Sequence, residues 1–242
     1  MACKKSSSST TPASNGSFPT PQADGGFYAI QMKYIGEITP SSSDTDMTSW
    51  TSEAWFGNYQ STKDAGLLNC NSVPMAYKDS STGTTITYPM YMNSTTFFGT
   101  TLNFTTANPI VNWSVSGNTS NAIPAIDYND SLAWGKLSSF VVPASSTAGS
   151  AITFQYNYSN LNTAPYEYLI YSVIGSKGNH SDTIAVHGSS FTVPSSITSA
   201  VAVAGDQMTV QLTLVKVSAA KTFGTKKYYF CKENVYDRFV QL

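Results

Sequence analysis

Residues 206–215 read DQMTVQLTLV. Met208, Val210, Leu212 and Leu214 fall on one side of an extended chain, and Thr209, Gln211 and Thr213 on the other. An apolar residue at every second position is the period of a β-strand, whereas an amphipathic helix needs 3.6. The same period recurs on both sides of this stretch. AITFQYNYS at 151–159 sets Ile152, Phe154, Tyr156 and Tyr158 against Thr153, Gln155, Asn157 and Ser159. IVNWSVSG at 110–117 sets Val111, Trp113 and Val115 against Asn112 and Ser114. FYAIQMKYI at 27–35 sets Tyr28, Ile30, Met32 and Tyr34 on one side. Such alternation predicts antiparallel sheets with one dry face and one wet face. Val, Ile, Thr, Tyr, Phe and Trp supply the matching strand propensity.

Turn residues punctuate these runs: Asp24-Gly25-Gly26, Thr82-Gly83, Ser116-Gly117-Asn118, Ala148-Gly149, Lys177-Gly178-Asn179 and Gly205-Asp206. Helical periodicity is confined to single turns, expected near 195–200 or 218–221. Many short strands with regular turns predict an all-β protein of sandwich type. A break in the pattern at 130–137 predicts two consecutive antiparallel, immunoglobulin-like sandwiches, over 27–135 and 136–242. In the second, residues 191–215 read as a strand, a corner, a Gly-Asp turn and a long central strand.

Of the 242 residues, 41% are hydrophobic and only 11% are charged, with a net charge of −1. Enough apolar surface is present for a core. Neither a basic footprint for nucleic acid nor an eighteen-residue apolar run for a membrane span is present. Ser, Thr and Asn fill the polar positions instead, as in many secreted and cell-surface β-proteins.

Residues 6–26 are mostly Ser, Thr, Pro, Gly, Ala, Asn, Gln and Asp, with Phe18 the one large hydrophobe. They cannot bury enough surface to offset their ordering entropy and read as a linker. Ahead of them stands Met1-Ala2-Cys3-Lys4-Lys5. Met-Ala-Cys resembles the end of a bacterial lipobox, and Cys-Lys-Lys followed by serines resembles the lipoproteins of Bacteroidetes. That resemblance implies a signal peptide ending at Ala2 and a lipid on Cys3. It also implies an address in the cell envelope, on the outer-membrane surface or the periplasmic face. Residues 50–127 are also loosely similar in layout to uncharacterised β-sandwich lipoproteins of that phylum, which brings no active site. Asp130-Ser131-Leu132 and Asp182-Thr183-Ile184 resemble its short O-glycosylation motif, which implies Ser131 and Thr183 as acceptors.

Catalytic chemistry is thinly provided. The histidines are His180 and His187, the arginine is Arg238, and the glutamates are Glu37, Glu53, Glu167 and Glu233. In NHSDTIAVH (179–187) the two histidines differ in parity, so on one strand they face opposite ways and make no metal site. GSKGN (175–179) reads as a hairpin turn rather than a phosphate loop. HGSS (187–190) lacks the nucleophile elbow of a serine hydrolase. No catalytic residue, metal or cofactor is expected. Trp50, Trp55 and Tyr59 cluster in a Ser/Asp-rich stretch and are the candidate ligand-contact aromatics, since flat rings beside neutral polar groups suit sugars and protein interfaces. Cys70 and Cys231 are a candidate disulfide, with two separate buried thiols as the alternative.

These features converge on a non-catalytic, lipid-anchored binding module that touches the membrane through its N-terminal lipid. The partner is a protein or a glycan, not nucleic acid. A carbohydrate-binding accessory lipoprotein and a structural subunit of a surface fibre or pilus are the alternatives.

Overall fold

The structure is a computed structural model, and it describes residues 21–34, 47–58, 61–78, 90–93, 109–159, 166–184 and 188–242. These residues form sixteen strands, one short α-helix and one 3-10 turn at Thr119–Asn121. In the first half lie β1 (Gly25–Tyr34), β2 (Met47–Asn58), β3 (Ser61–Thr62), β4 (Leu68–Cys70), β5 (Val73–Lys78), β6 (Met90–Met92), β7 (Val111–Val115) and β8 (Ile126–Asp130). The second half carries β9 (Lys136–Val141), β10 (Ile152–Ser159), β11 (Tyr166–Gly175), β12 (Gly178–Ile184) and β13 (Ser190–Val193). After them come α1 (Ser195–Val201), β14 (Gln207–Val217), β15 (Lys221–Phe223) and β16 (Lys226–Gln241).

The all-β expectation holds, and the sheets stack as a sandwich. Among the described strands, one path runs β12-β11-β14-β16-β1-β2-β6-β5-β4-β7-β8, and β13-β10-β9 form a second, small sheet. β5 turns a corner: Val73–Met75 pair with β4, and Ala76–Lys78 pair with β6. The expected helical turn is α1; the 218–220 segment is instead non-helical and leads into β15.

β16 organises the molecule. It is sixteen residues long and lies between β14 on one side and β1 on the other. The β1–β16 pairing is parallel over ten residues, from Gly25 opposite Tyr228 to Tyr34 opposite Asp237. Among the described strands the other pairings are antiparallel. The two halves expected at 27–135 and 136–242 share one sheet, whose path runs through strands of both.

Two apolar cores lie on the same face of this sheet. Leu169, Tyr171, Val210, Leu212, Leu214 and Tyr236 meet the small sheet's Phe140, Ile152, Phe154, Tyr156 and Phe191. Phe27, Phe56, Tyr228 and Phe230 meet Leu68, Cys70, Val111 and Trp113 across the β5 corner. The first end of β16 thus serves one core and its last end the other. A third cluster, with Tyr28, Ile30, Ile170, Val215, Val217 and Tyr229, lies on the opposite face.

β7 and β10 show the expected alternation of buried and exposed residues. β14 departs from the one-wet-face expectation, because residues 210–217 are all buried and alternation survives only over 207–209. Asp24-Gly25-Gly26 also departs from the expected turn: both glycines open β1. A Cβ on Gly25 would lie 2.5 Å from Trp55 O and 2.8 Å from the Tyr228 ring, and one on Gly26 would lie 2.7 Å from the Tyr229 ring. The missing side chains let β1 sit under three aromatic rings.

Candidate functional site

The central strand carries charges where a sandwich normally carries hydrophobes. Lys232, Glu233, Asn234 and Asp237 of β16 are all buried. Strand parity divides them. Even-numbered residues of β16 face the two large cores, so Lys232 and Asn234 lie between Phe230 of one core and Tyr236 of the other. Register places Lys232 beside Lys216 of β14, and Lys216 beside Glu167 of β11.

A polar seam results. Lys232 Nζ donates to the carbonyl oxygens of Pro109, Asp130 and Leu132. Its three hydrogens are then taken, and the Asp130 carboxylate at 3.3 Å is a charge contact. The ammonium also stands 5.6 Å over the Trp134 ring, a cation–π distance. Lys216 Nζ lies 3.4 Å from Glu167. Asn234 Nδ2 donates to Gly135 O at 2.8 Å, and Leu137 N donates to the Tyr236 hydroxyl at 3.0 Å. The 131–135 connection is thereby latched to β16 along its length. Burial lowers the Lys232 pKa against the opposing pull of Asp130, and raises that of Asp130 against Lys232. Burial likewise lowers Lys216, with Glu167 opposing. In each pair the carboxylate neighbour favours the charged ammonium and burial disfavours it.

The odd residues of β16 face the other way. Glu233 and Asp237 lie on that face, with Glu53 of β2 opposite Tyr28. The Tyr28 and Tyr229 hydroxyls are hydrogen-bonded to each other. Burial pushes the Asp237 carboxyl up to about 6, against the Gln211 side chain, which lowers it.

The candidate aromatics separate. Trp50 and Trp55 belong to β2 but differ in parity. Trp50 packs on the core side, 6.3 Å from the Trp134 ring. Trp55 packs on the opposite face, 6.1 Å from the Tyr229 ring. The two rings do not share a surface, because five positions along a strand invert the face. Tyr59 lies outside the described residues, as do Cys3 and His187.

Of the two readings of the cysteines, the structure has the separate buried thiols. Cys70 packs in the core with Phe230, and Cys231 on the opposite face with Tyr229, so the sheet itself stands between them. Both are thiols, and burial raises the Cys70 pKa strongly. Ser131 is exposed directly after the buried Asp130. Thr183 is exposed on β12, with its backbone N donating to Asp182 Oδ1 at 2.7 Å. His180 lies 5.9 Å from the Tyr171 ring. Among the described residues, no three His, Cys, Asp or Glu side chains converge as metal ligands. No described helix is long and apolar enough to cross a membrane.

The solvent face of the small sheet carries rows of neutral polar side chains. Thr153 and Thr192 share a hydroxyl bond at 2.8 Å, and Asn157 donates to Ser139 at 3.1 Å. Between these rows lie Ser190, Gln155 and Val141, side by side in register. A shallow groove of about 360 Å³ is lined by Ser139, Val141, Gln155, Tyr156, Asn157, Ser189 and Ser190. Its lining offers hydroxyls and amides, with Val141 49% exposed as the apolar contact. Parity alone, read from 151–159, identifies one row of this face; the neighbouring strands become visible only with the register.

No protein-family model matches this chain. No curated protein matches it either.

Proposed function

We propose that the chain is a non-catalytic, lipid-anchored protein of the cell envelope that presents a neutral binding face to a protein or glycan. The observation that carries this is the separation of the two ends of β16. β1 begins at Gly25, opposite Tyr228, so the residues ahead of it meet the sheet at that end. Twelve residues further along β16, Val240 packs in the core beneath the small sheet. At about 3.3 Å per residue this is roughly 40 Å of strand. A tether at one end and a hydroxyl- and amide-rich face at the other suit display away from a membrane. Two or more acyl chains on Cys3 would supply stable anchoring.

The chemistry of the face favours a neutral partner. Ser, Thr, Asn and Gln offer donors and acceptors in register and no net charge. A protein surface is the first reading. The groove of hydroxyls and amides beside Tyr156 favours a glycan as the second, since sugar hydroxyls both donate to and accept from such groups.

The test has two arms. Expression from the natural gene, with its upstream region, should place the protein in the membrane fraction, and Cys3→Ala should release it. Independently, Gln155→Lys and Asn157→Lys should abolish capture of the partner or of an arrayed glycan without altering the melting temperature. A membrane fraction unchanged by Cys3→Ala, or binding unchanged by both lysines, overturns the corresponding half of the proposal.

A further inference from the structure

β12 is the last strand on its side of the large sheet among the described residues. Edge strands are commonly protected by lysines, prolines or bulges. Residues 178–184, GNHSDTI, contain neither lysine nor proline, and the β11–β12 register runs without a shift from Leu169–Ile184 to Gly175–Gly178. Gly175 and Gly178 close a two-residue hairpin. In such a hairpin the closing pair is hydrogen-bonded and every second pair after it is too. His180 and Asp182 therefore bond to β11, while Asn179, Ser181 and Thr183 turn their N–H and C=O groups outward. The Asp182 carboxylate holding Thr183 N agrees with this, because that N–H is not used by β11.

We propose that β12 is a self-association edge, at which two copies of the chain pair antiparallel about Ser181. This does not rest on the binding face above. Ser181 would exchange both backbone bonds with its counterpart, and Asn179 would do the same with Thr183 of the second copy. These are the residues whose backbone groups point outward, so the symmetric register and the hydrogen-bond phase agree. The same register sets His180 of each copy directly opposite Asp182 of the other, in a non-hydrogen-bonded pair where side chains stand closest. Two identical His–Asp contacts follow from one two-fold axis, and an isologous interface requires this self-complementarity. Asp182 would exchange its local backbone contact for that imidazole.

Sedimentation velocity on the full chain, from about 1 µM to about 1 mM, tests this, since a contact of one strand pair associates weakly. Reversible dimerisation is expected. Ser181→Pro removes an outward N–H, which an edge strand tolerates, and should leave a folded monomer. His180→Asp and Asp182→His each place like residues opposite one another and should weaken the dimer roughly tenfold. The double variant H180D/D182H restores unlike pairs and should recover the wild-type constant. A chain that stays monomeric throughout overturns the proposal and leaves the edge to a different partner's strand. A dimer indifferent to Ser181→Pro, or one that the double variant does not restore, overturns the edge or its register.

Discussion

Lys232 illustrates how much a single side chain can hold together in this protein. It sits in a central strand, fully buried, with three backbone carbonyls and one carboxylate around it. Removing it strands the Asp130 carboxylate in a dry place and takes a charged donor from three carbonyls. Lys232→Ala should therefore destabilise by about 3–5 kcal/mol in urea titration, and more than Asp130→Asn, which keeps the carbonyl contacts. Asp237 makes the opposite case. In the unfolded chain it ionises near 3.8, and in the folded chain near about 6. Between those values the folded state keeps a proton that the unfolded state has lost, so stability falls as pH rises through the window. Asp237→Asn should abolish that slope and gain on the order of 2 kcal/mol at pH 7, measured as the difference between the two unfolding curves. The cysteines give a third expectation. Cys70 and Cys231 lie on opposite faces of one sheet, so both should titrate as thiols after unfolding without reductant, and neither should react quickly while folded. These roles were not legible in the sequence. YYFCKENVYDRF at 228–239 mixes charge with aromatics, and the same alternation would suit a strand with a wet face. The carbonyls that justify a buried lysine come from residues a hundred positions away in the chain.

At the scale of elements, the β1–β16 ladder is the most consequential pairing. Parallel strands held side by side over ten residues resist tension along their length by shear, with all the ladder bonds loaded together. Tension between the linker before Gly25 and the end of β16 acts in that way. Tension between residue 24 and the turn at 224–225, which adjoin, acts by unzipping. Single-molecule pulling should give a clearly higher rupture force for the first geometry; equal forces would deny the ladder that role. The entry of β1 depends on two small residues. Gly26→Ala sets a Cβ against the Tyr229 and Trp55 rings and should cost about 1–3 kcal/mol, read as a drop in melting temperature. Asp24 secures the same end, with Lys226 Nζ at 3.0 Å and the backbone N of Lys227 at 2.9 Å. A Gly-Gly pair after aspartate looks like a turn because glycine's freedom is local information. Its use here is space, which depends on rings contributed by β2 and β16. β7 and β10 were legible because each has one exposed face, so alternation survives in the sequence. β14 and β16 are buried on both faces, and period two alone does not separate that case from a half-wet strand.

For the whole molecule, two cores share one sheet, and a polar seam lies where they meet. The break at 130–137 was visible as a lapse in patterning, and it coincides with the connection latched by Lys232, Asn234 and Tyr236. What the pattern could not convey is that β1 crosses to the C-terminal strand, since a parallel pairing of the two chain ends leaves no local mark. The candidate binding face was legible in one strand only. Trp50 and Trp55 drew attention by rarity and proximity, yet strand parity sends them to opposite sides. The linker remains the strongest functional signal, and the structure adds the distance between its point of entry and the neutral face. Mass spectrometry of the mature protein from its native host tests the central claim most directly. The account predicts a chain that begins at Cys3 and carries lipid there. An unmodified Cys3 in a chain that begins at Met1 would contradict it.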